Sequence, residues 1–165
     1  KKQANILTVL FLLYFFNVFS RILFSPLTET ITYEFSLNSK EIGTFFLFLS
    51  AGFALSLFSS QFLSMKISHK RTMIFSVLLS SFSLFMISSA HTFFQFKLYL
   101  LFLGIGSGLF LPSEIALINH IFDKKDLGKT FSIQSAAQSA AFILAPLSLH
   151  FLSSKISWRI FLKFL

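Results

Sequence analysis

Ile42–Met65 reads IGTFFLFLSAGFALSLFSSQFLSM, 24 residues without a Lys, Arg, Asp or Glu. A helix rises about 1.5 Å per residue, so this stretch reaches about 36 Å, enough to cross a hydrocarbon core of about 30 Å. In lipid the backbone has to satisfy its own hydrogen bonds, which leaves the helix as the spanning form for a segment of this length. The pattern repeats outward in both directions. Gln3–Ser20, Thr72–Phe96 and Thr130–Ser154 are likewise free of charge, and Leu98–Ile121 is interrupted only by Glu114. The fold class that follows is all-α, a polytopic transmembrane helical bundle forming a single domain over residues 1–165. Five complete spans and the start of a sixth are expected, at about 5–28, 42–65, 72–94, 98–121, 130–152 and 157–165.

Composition points the same way. The chain is 55% hydrophobic and 12% charged with mean hydropathy +0.77, where a soluble domain carries roughly 25% charged residues. The formal net charge is +8, yet the basic residues sit between apolar stretches rather than along one face, which argues against nucleic acid as a partner. There is no Cys, so disulfides and thiolate metal ligands are excluded. His69, His91, His120 and His150 are far apart and lack ligand spacing, so neither a metal nor another cofactor is expected. No catalytic constellation is present, and the chain does not read as an enzyme.

Charge gathers at the ends and connections, unevenly. Lys1, Lys2, Lys66, Lys70, Arg71, Lys124, Lys125 and Lys129 fall on one side of the expected spans; Lys40, Lys97, Lys155 and Arg159 fall on the other, with Glu29, Glu34 and Glu41. The positive-inside rule then places the N-terminus and the basic connections in the cytoplasm of a multi-pass protein of the cell (inner) membrane, with lipid as its first partner. Lys1-Lys2 before an apolar run also fits a signal peptide. That run is longer than a usual signal core, however, and Asn17–Arg21 makes a poor cleavage site, so the first span is expected to stay. Ser36–Ser39 before Lys40-Glu41 reads as a turn and a helix N-cap, and Asp123–Gly128 as a compact polar turn. Short connections between long helices imply antiparallel neighbours.

Several stretches, in order, resemble the N-terminal half of the major facilitator superfamily of secondary transporters. Ser25–Gly43 after the first span looks like that family's outer loop and second-helix start. Gly104-Ile-Gly106-Ser-Gly108 followed by Pro112 is similar to its Gly-rich fourth helix, and Ile121–Phe131 to its four-to-five connection. Ala145-Pro146 resembles its fifth-helix Gly-Pro, and Trp158-Arg159 a common opening to its sixth helix. The resemblance covers nearly the whole chain. It departs at the two-to-three connection, usually Gly-x-x-x-Asp-Arg-x-Gly-Arg-Arg: in Gln61–Arg71 the basic positions largely persist, but Met65 replaces the Asp and both glycines are replaced. The Arg usual before the fourth-helix glycines is absent too, with Leu100 in its place and Lys97 one turn earlier.

The resemblance implies a fold of two six-helix halves with the solute site near midplane between them, so a second half in the same or another chain is an implied partner. The sequence begins with Lys rather than Met and holds about half of that arrangement, as expected of a fragment or a truncated product.

Within the first span Tyr14, Asn17, Arg21, Ser25 and Thr28 recur on one helical face. An intramembrane Arg costs at least about 2.5–3.5 kcal/mol on insertion scales, so Arg21 needs a wet cavity, a partner or a route to the headgroups. In the family the first helix lines the central cavity and a first-helix Arg often marks transporters of anionic solutes; a guanidinium suits carboxylate or phosphate because its planar fork binds two oxygens. Substrate contact, snorkelling and structural pairing all remain open for it. Glu114 lies about 10 Å of helix from Ile121 and invites either proton coupling or a hydrogen-bonded structural role. Its depth differs from that of Arg21 by about 14 Å, so a polar partner on the fifth span is expected instead: Gln138 at a similar level, with Gln134 one turn below. Gly104, Gly106 and Gly108, with the Ala136–Ala145 row and Pro146, read as helix-packing positions. Lys66, Lys70 and Arg71 belong to conformational gating in the family; by charge alone they fix topology and touch anionic lipid.

Two functions stand against each other. One is a secondary transporter, or its N-terminal half, moving a small anionic organic solute by alternating access with proton coupling. The other is a non-transporting truncated remnant or a small membrane assembly subunit. Charged residues kept within spans favour the first; the eroded connection favours the second.

Overall fold

The computed structural model of the chain describes residues 2–152 and 157–165. Lys1 and Lys155, both used in the charge asymmetry, and the end of the Thr130–Ser154 stretch lie outside the described residues. All regular structure among the described residues is helical. α1 (Lys2–Ile22) and α2 (Phe24–Phe35) form one run broken at Leu23; α3 (Ser39–Ile67), α4 (His69–Ser88), α5 (Phe93–Ile121), α6 (Leu127–Leu152) and α7 (Trp158–Phe164) follow. Among the described residues four runs, Gln3–Phe35 and helices α3, α4 and α5, are long and apolar enough to cross a membrane. The helices alternate in direction, giving an N-terminal face, which holds the α3–α4 and α5–α6 connections, and a far face, which holds α7 and the α2–α3 and α4–α5 connections.

Helix ends differ from the expected span limits, each for a local reason. The first run continues past residue 28 to Phe35, interrupted at Leu23 because Pro26 has no N–H to offer the Ile22 carbonyl and its ring crowds it. Leu23 keeps helical dihedrals (φ −53°, ψ −29°) and its N–H still donates to the Phe19 carbonyl at 3.0 Å, so the helical path continues through the break. Ser36 in the left-handed region ends α2. Asn38 then caps α3, accepting from the Glu41 N–H at 3.0 Å while its own N–H donates to the Glu41 carboxylate at 2.9 Å. α4 stops at Ser88, short of residue 94, and α5 starts at Phe93, ahead of residue 98, because Thr92 and Gln95 form a second capping box. α6 opens at Leu127 rather than residue 130, directly off the Asp123–Asp126 turn. A single residue, Ser68 at φ 75° and ψ 150°, joins α3 to α4.

α5 is the central helix, packed between α3 and α4, while α1 packs on α6 and α7 on α4. Lipid tails are as apolar as Leu, so helices in a bilayer associate through close packing and hydrogen bonds rather than through a hydrophobic drive. The sequence supplies both. Gly104 and Gly108, one turn apart, receive the α3 backbone at Leu49 and Phe53; Gly106, on the opposite side, receives α4 at Ser76 and Ser80. A Cβ on Gly104 would collide with the Leu49 carbonyl. The Ser76 hydroxyl donates to the Gly106 carbonyl at 2.7 Å. Gly52 of α3 is fitted as closely against the Leu101 carbonyl. On α6 the buried row is Ala137, Ala141 and Ala145, while Ala136 and Pro146 lie on its exposed side. The larger core cluster lies toward the far face and holds Phe24, Phe45, Phe96 and Trp158; a smaller one toward the N-terminal face holds Leu10, Met73, Phe110 and Ile118.

Candidate functional site

Two polar contacts join α1, α5 and α6, one buried within the bundle and one at an exposed position. Glu114 projects from α5 and is 1% exposed; its Oε1 accepts from Nε2 of Gln134 on α6 at 2.7 Å. One turn further along α6, Gln138 accepts from the Tyr14 hydroxyl of α1 at 3.2 Å. The Tyr14 ring stacks on Phe110 of α5, with centroids 6.4 Å apart. A carboxylate taken out of water needs donors or a proton, and the amide supplies one donor. Of the two glutamines expected as partners, Gln134 makes the bond to Glu114, and Gln138 bonds Tyr14 instead. Sequence spacing put Gln138 level with Glu114 and Gln134 one turn below; the structure reverses this, because the relative tilt and rotation of α5 and α6 bring Gln134 to the carboxylate.

Arg21 stands apart from this pair. Its guanidinium carbon lies 4.2 Å from the centroid of the Phe53 ring on α3, a cation–π distance. The side chain is half-buried, and Nε is buried without a hydrogen-bond partner among the described residues. Among those residues the ion pairs are Lys125–Asp123 at 3.9 Å and Arg159–Glu34 at 2.7 Å, so Glu114 and Arg21 do not pair. Asn17 is buried and faces α4 and α7, where it lines a small cavity with Ser20, Ser80 and Leu165. The expected polar face of α1 is therefore divided: Tyr14 turns to α6, Asn17 to α4, and Arg21 to α3. Ser25 is exposed, and the Thr28 hydroxyl bonds back to the Phe24 carbonyl of its own helix.

Lys66, Lys70 and Arg71 are exposed at the N-terminal face and make no ion pair among the described residues. Lys66 closes α3, where a cation complements the carbonyl end of the helix. Phe53, under the guanidinium, was not legible in the sequence; within a Phe-rich chain nothing singles it out. The same holds for the contact of Trp158 and Arg159 with Glu34, which joins residues more than 120 positions apart.

The family model described as Major Facilitator Superfamily matches residues 10–164. Curated relatives include the protein TsgA homolog of Buchnera aphidicola subsp. Acyrthosiphon pisum (strain Tuc7), 26% identical over 125 residues, covering 75% of this chain and 32% of the relative. The protein TsgA homolog of Erwinia tasmaniensis is 27% identical over 119 residues, covering 72% and 30%. The chain thus spans about a third of the length of these relatives. Among solved structures it is similar to a bacterial homolog of the human lysosomal transporter Spinster in inward-facing conformations. The occupied form has a TM-score of 0.79 at 20% identity, covering 98% of this chain and 41% of that one; the unoccupied form has 0.77 at 18% identity, covering 98% and 39%. At such identities the likeness is one of fold, and it spans an N-terminal-like half of a larger chain.

Proposed function

This chain belongs to the Major Facilitator Superfamily, and we propose that it forms the N-terminal half of a secondary transporter that moves a small anionic organic solute by alternating access. One observation carries the reading: Arg21 holds a half-buried guanidinium within an apolar run, seated on an aromatic ring, with no carboxylate against it among the described residues. An intramembrane cation left without a protein counter-ion is costly, and an anionic ligand relieves that cost while using the planar fork. Glu114, Gln134 and Gln138 serve coupling on this reading, with proton exchange at Glu114 and the two glutamines linking it to α1; Asn17 lines the neighbouring polar cavity. The bundle has five spans plus the start of a sixth, lies in the cell membrane with its N-terminus in the cytoplasm, and works against a second six-helix half. Lys66, Lys70 and Arg71 form the cytoplasmic gating connection.

The test uses the full-length protein in proteoliposomes and a panel of radiolabelled small carboxylates and organophosphates. Arg21→Lys is expected to impair uptake severalfold despite keeping its charge, and Arg21→Ala to abolish it. Glu114→Gln is expected to remove pH-driven accumulation while sparing exchange. Wild-type uptake in both Arg21 variants removes the anion role, and unchanged accumulation in Glu114→Gln removes coupling. The departures at Met65 and Ser68 favour the second reading, a non-transporting remnant or assembly subunit, and absence of exchange across the panel in folded wild-type protein supports it.

A further inference from the structure

Glu34, near the tip of α2, receives three hydrogen bonds from two consecutive residues of α7. Trp158 Nε1 donates to Oε2 at 2.9 Å, and Arg159 Nε and Nη2 donate to Oε1 at 2.9 and 2.7 Å. The remaining Arg159 nitrogen, Nη1, donates to the Ser88 carbonyl at 2.9 Å. Ser88 is the last residue of α4, so this carbonyl is among those a helix leaves without an internal partner, and a cation there is favourable. The Arg159 guanidinium also lies over the Trp158 ring at 4.6 Å. One residue pair on α7 therefore ties down the ends of two other helices at the far face.

The helix that is tied needs it. Gln3–Phe35 contains 33 residues, and a helix of that length extends about 50 Å, well beyond a hydrocarbon core of about 30 Å. α2 follows α1 at Leu23, where Pro26 leaves the Ile22 carbonyl without its helix hydrogen bond. Leu23, Phe24, Leu27 and Ile31 are buried and the Phe35 ring rests on Phe93 and Phe96, while Tyr33 is 89% exposed, so one face of the arm is packed along its length and the other is bare. A helix that lacks a backbone bond at its base relies on the contacts beyond it, and the three hydrogen bonds to Glu34 are the polar ones at its tip.

We propose that Glu34, Trp158, Arg159 and the Ser88 carbonyl form a latch that holds the α2 arm at the far face, and that the arm pivots at Leu23–Pro26 when the latch opens. The pivot lies two residues beyond Arg21, so movement of the arm is delivered to the part of α1 that carries the guanidinium. The latch stands whether or not the protein proves to be an anion transporter, since nothing in it depends on a solute.

The test is a distance measurement between spin labels in the full-length protein in lipid nanodiscs, with any cysteines outside this segment replaced. An arm pair (Tyr33→Cys with His91→Cys) reports α2; a control pair (Gly43→Cys with His91→Cys) reports the far face without α2, and Gly43 has no atoms within 4 Å of where its Cβ would lie. Glu34→Gln and Arg159→Gln are each expected to broaden the arm distribution and leave the control unchanged, with the double variant no broader than either single. Arg159→Lys keeps the charge but cannot reach Glu34 and Ser88 together, and intermediate broadening is expected. An unchanged arm distribution in Glu34→Gln and Arg159→Lys overturns the latch. Equal broadening of both pairs also overturns it, because the contact would then support the bundle generally rather than hold an arm.

Discussion

At the scale of single residues, Ser68 is the most informative position in the N-terminal face. Its φ of 75° with ψ of 150° lies in a region occupied essentially by Gly, and holding a side chain there costs on the order of 1–3 kcal/mol. Ser68 also falls where the family pattern places a glycine, so the sequence marked the substitution and the backbone shows its consequence. Ser68→Gly is expected to raise the melting temperature of the detergent-solubilised protein, by about 1 kcal/mol of stability, since Gly adopts this conformation freely but adds entropy to the unfolded chain. An unchanged or lowered melting temperature in a thermal-shift series means that the surrounding helices, not the residue type, set the geometry. The candidate site shows the limit of residue-scale reading. Periodicity brought Glu114 to the glutamines of α6, a matter of depth along helices. It put Gln138 rather than Gln134 level with the carboxylate, because the true level depends on how the two helices tilt and rotate toward each other. It also did not separate Asn17 from Arg21, which share a face of α1 yet turn to different neighbours.

Elements obey two kinds of signal, and only one was read fully. Apolar runs located the helices within the first 150 residues, because length and charge exclusion are properties of the run itself. The expected limits match at Ile121 and Leu152 and differ by up to seven residues elsewhere, because the charges used as boundaries mark the membrane surface, whereas helices end at caps. The Thr92-x-x-Gln95 box lay in plain sight and places the α5 start correctly, five residues before the first charge-based estimate. The glycines of α5 were expected at helix contacts, but their alternation, Gly104 and Gly108 to α3 and Gly106 to α4, required knowing that α5 is central. This alternation makes a paired prediction. Gly104→Ala places a methyl group on the Leu49 backbone carbonyl, which cannot rotate away, so α3 and α5 have to separate; a loss of about 1–3 kcal/mol is expected. Gly43→Ala, in open space near the start of α3, is expected to gain up to about 1 kcal/mol from helix propensity. The check is the midpoint of thermal unfolding for the two variants side by side. A Gly104→Ala variant as stable as wild type shows that the contact between α3 and α5 is looser than the structure places it.

For the molecule as a whole, charge asymmetry is what predicts the orientation. Lys66, Lys70, Arg71, Lys124, Lys125 and Lys129 are all exposed at the N-terminal face, where Asp123 and Asp126 are the acidic residues of the α5–α6 turn. At the far face Arg159 is paired with Glu34 and the Lys97 ammonium lies 4.8 Å from the centroid of the Phe93 ring and 5.4 Å from that of Phe48, while Lys40 and Lys163 are exposed. Exposed cations are still more numerous on the face expected in the cytoplasm. The segment contains no Cys, so a single introduced thiol is its only label site. In cells expressing the full-length protein cleared of other cysteines, His91→Cys is expected to react with a membrane-impermeant maleimide in intact cells. Asp123→Cys, exposed at the opposite face, is expected to react only after permeabilisation. The reverse pattern inverts the topology and moves the latch to the cytoplasm. Labelling of both sites in intact cells means that the bundle does not adopt one orientation, and then neither a gated cavity nor a directional solute path can be built on it.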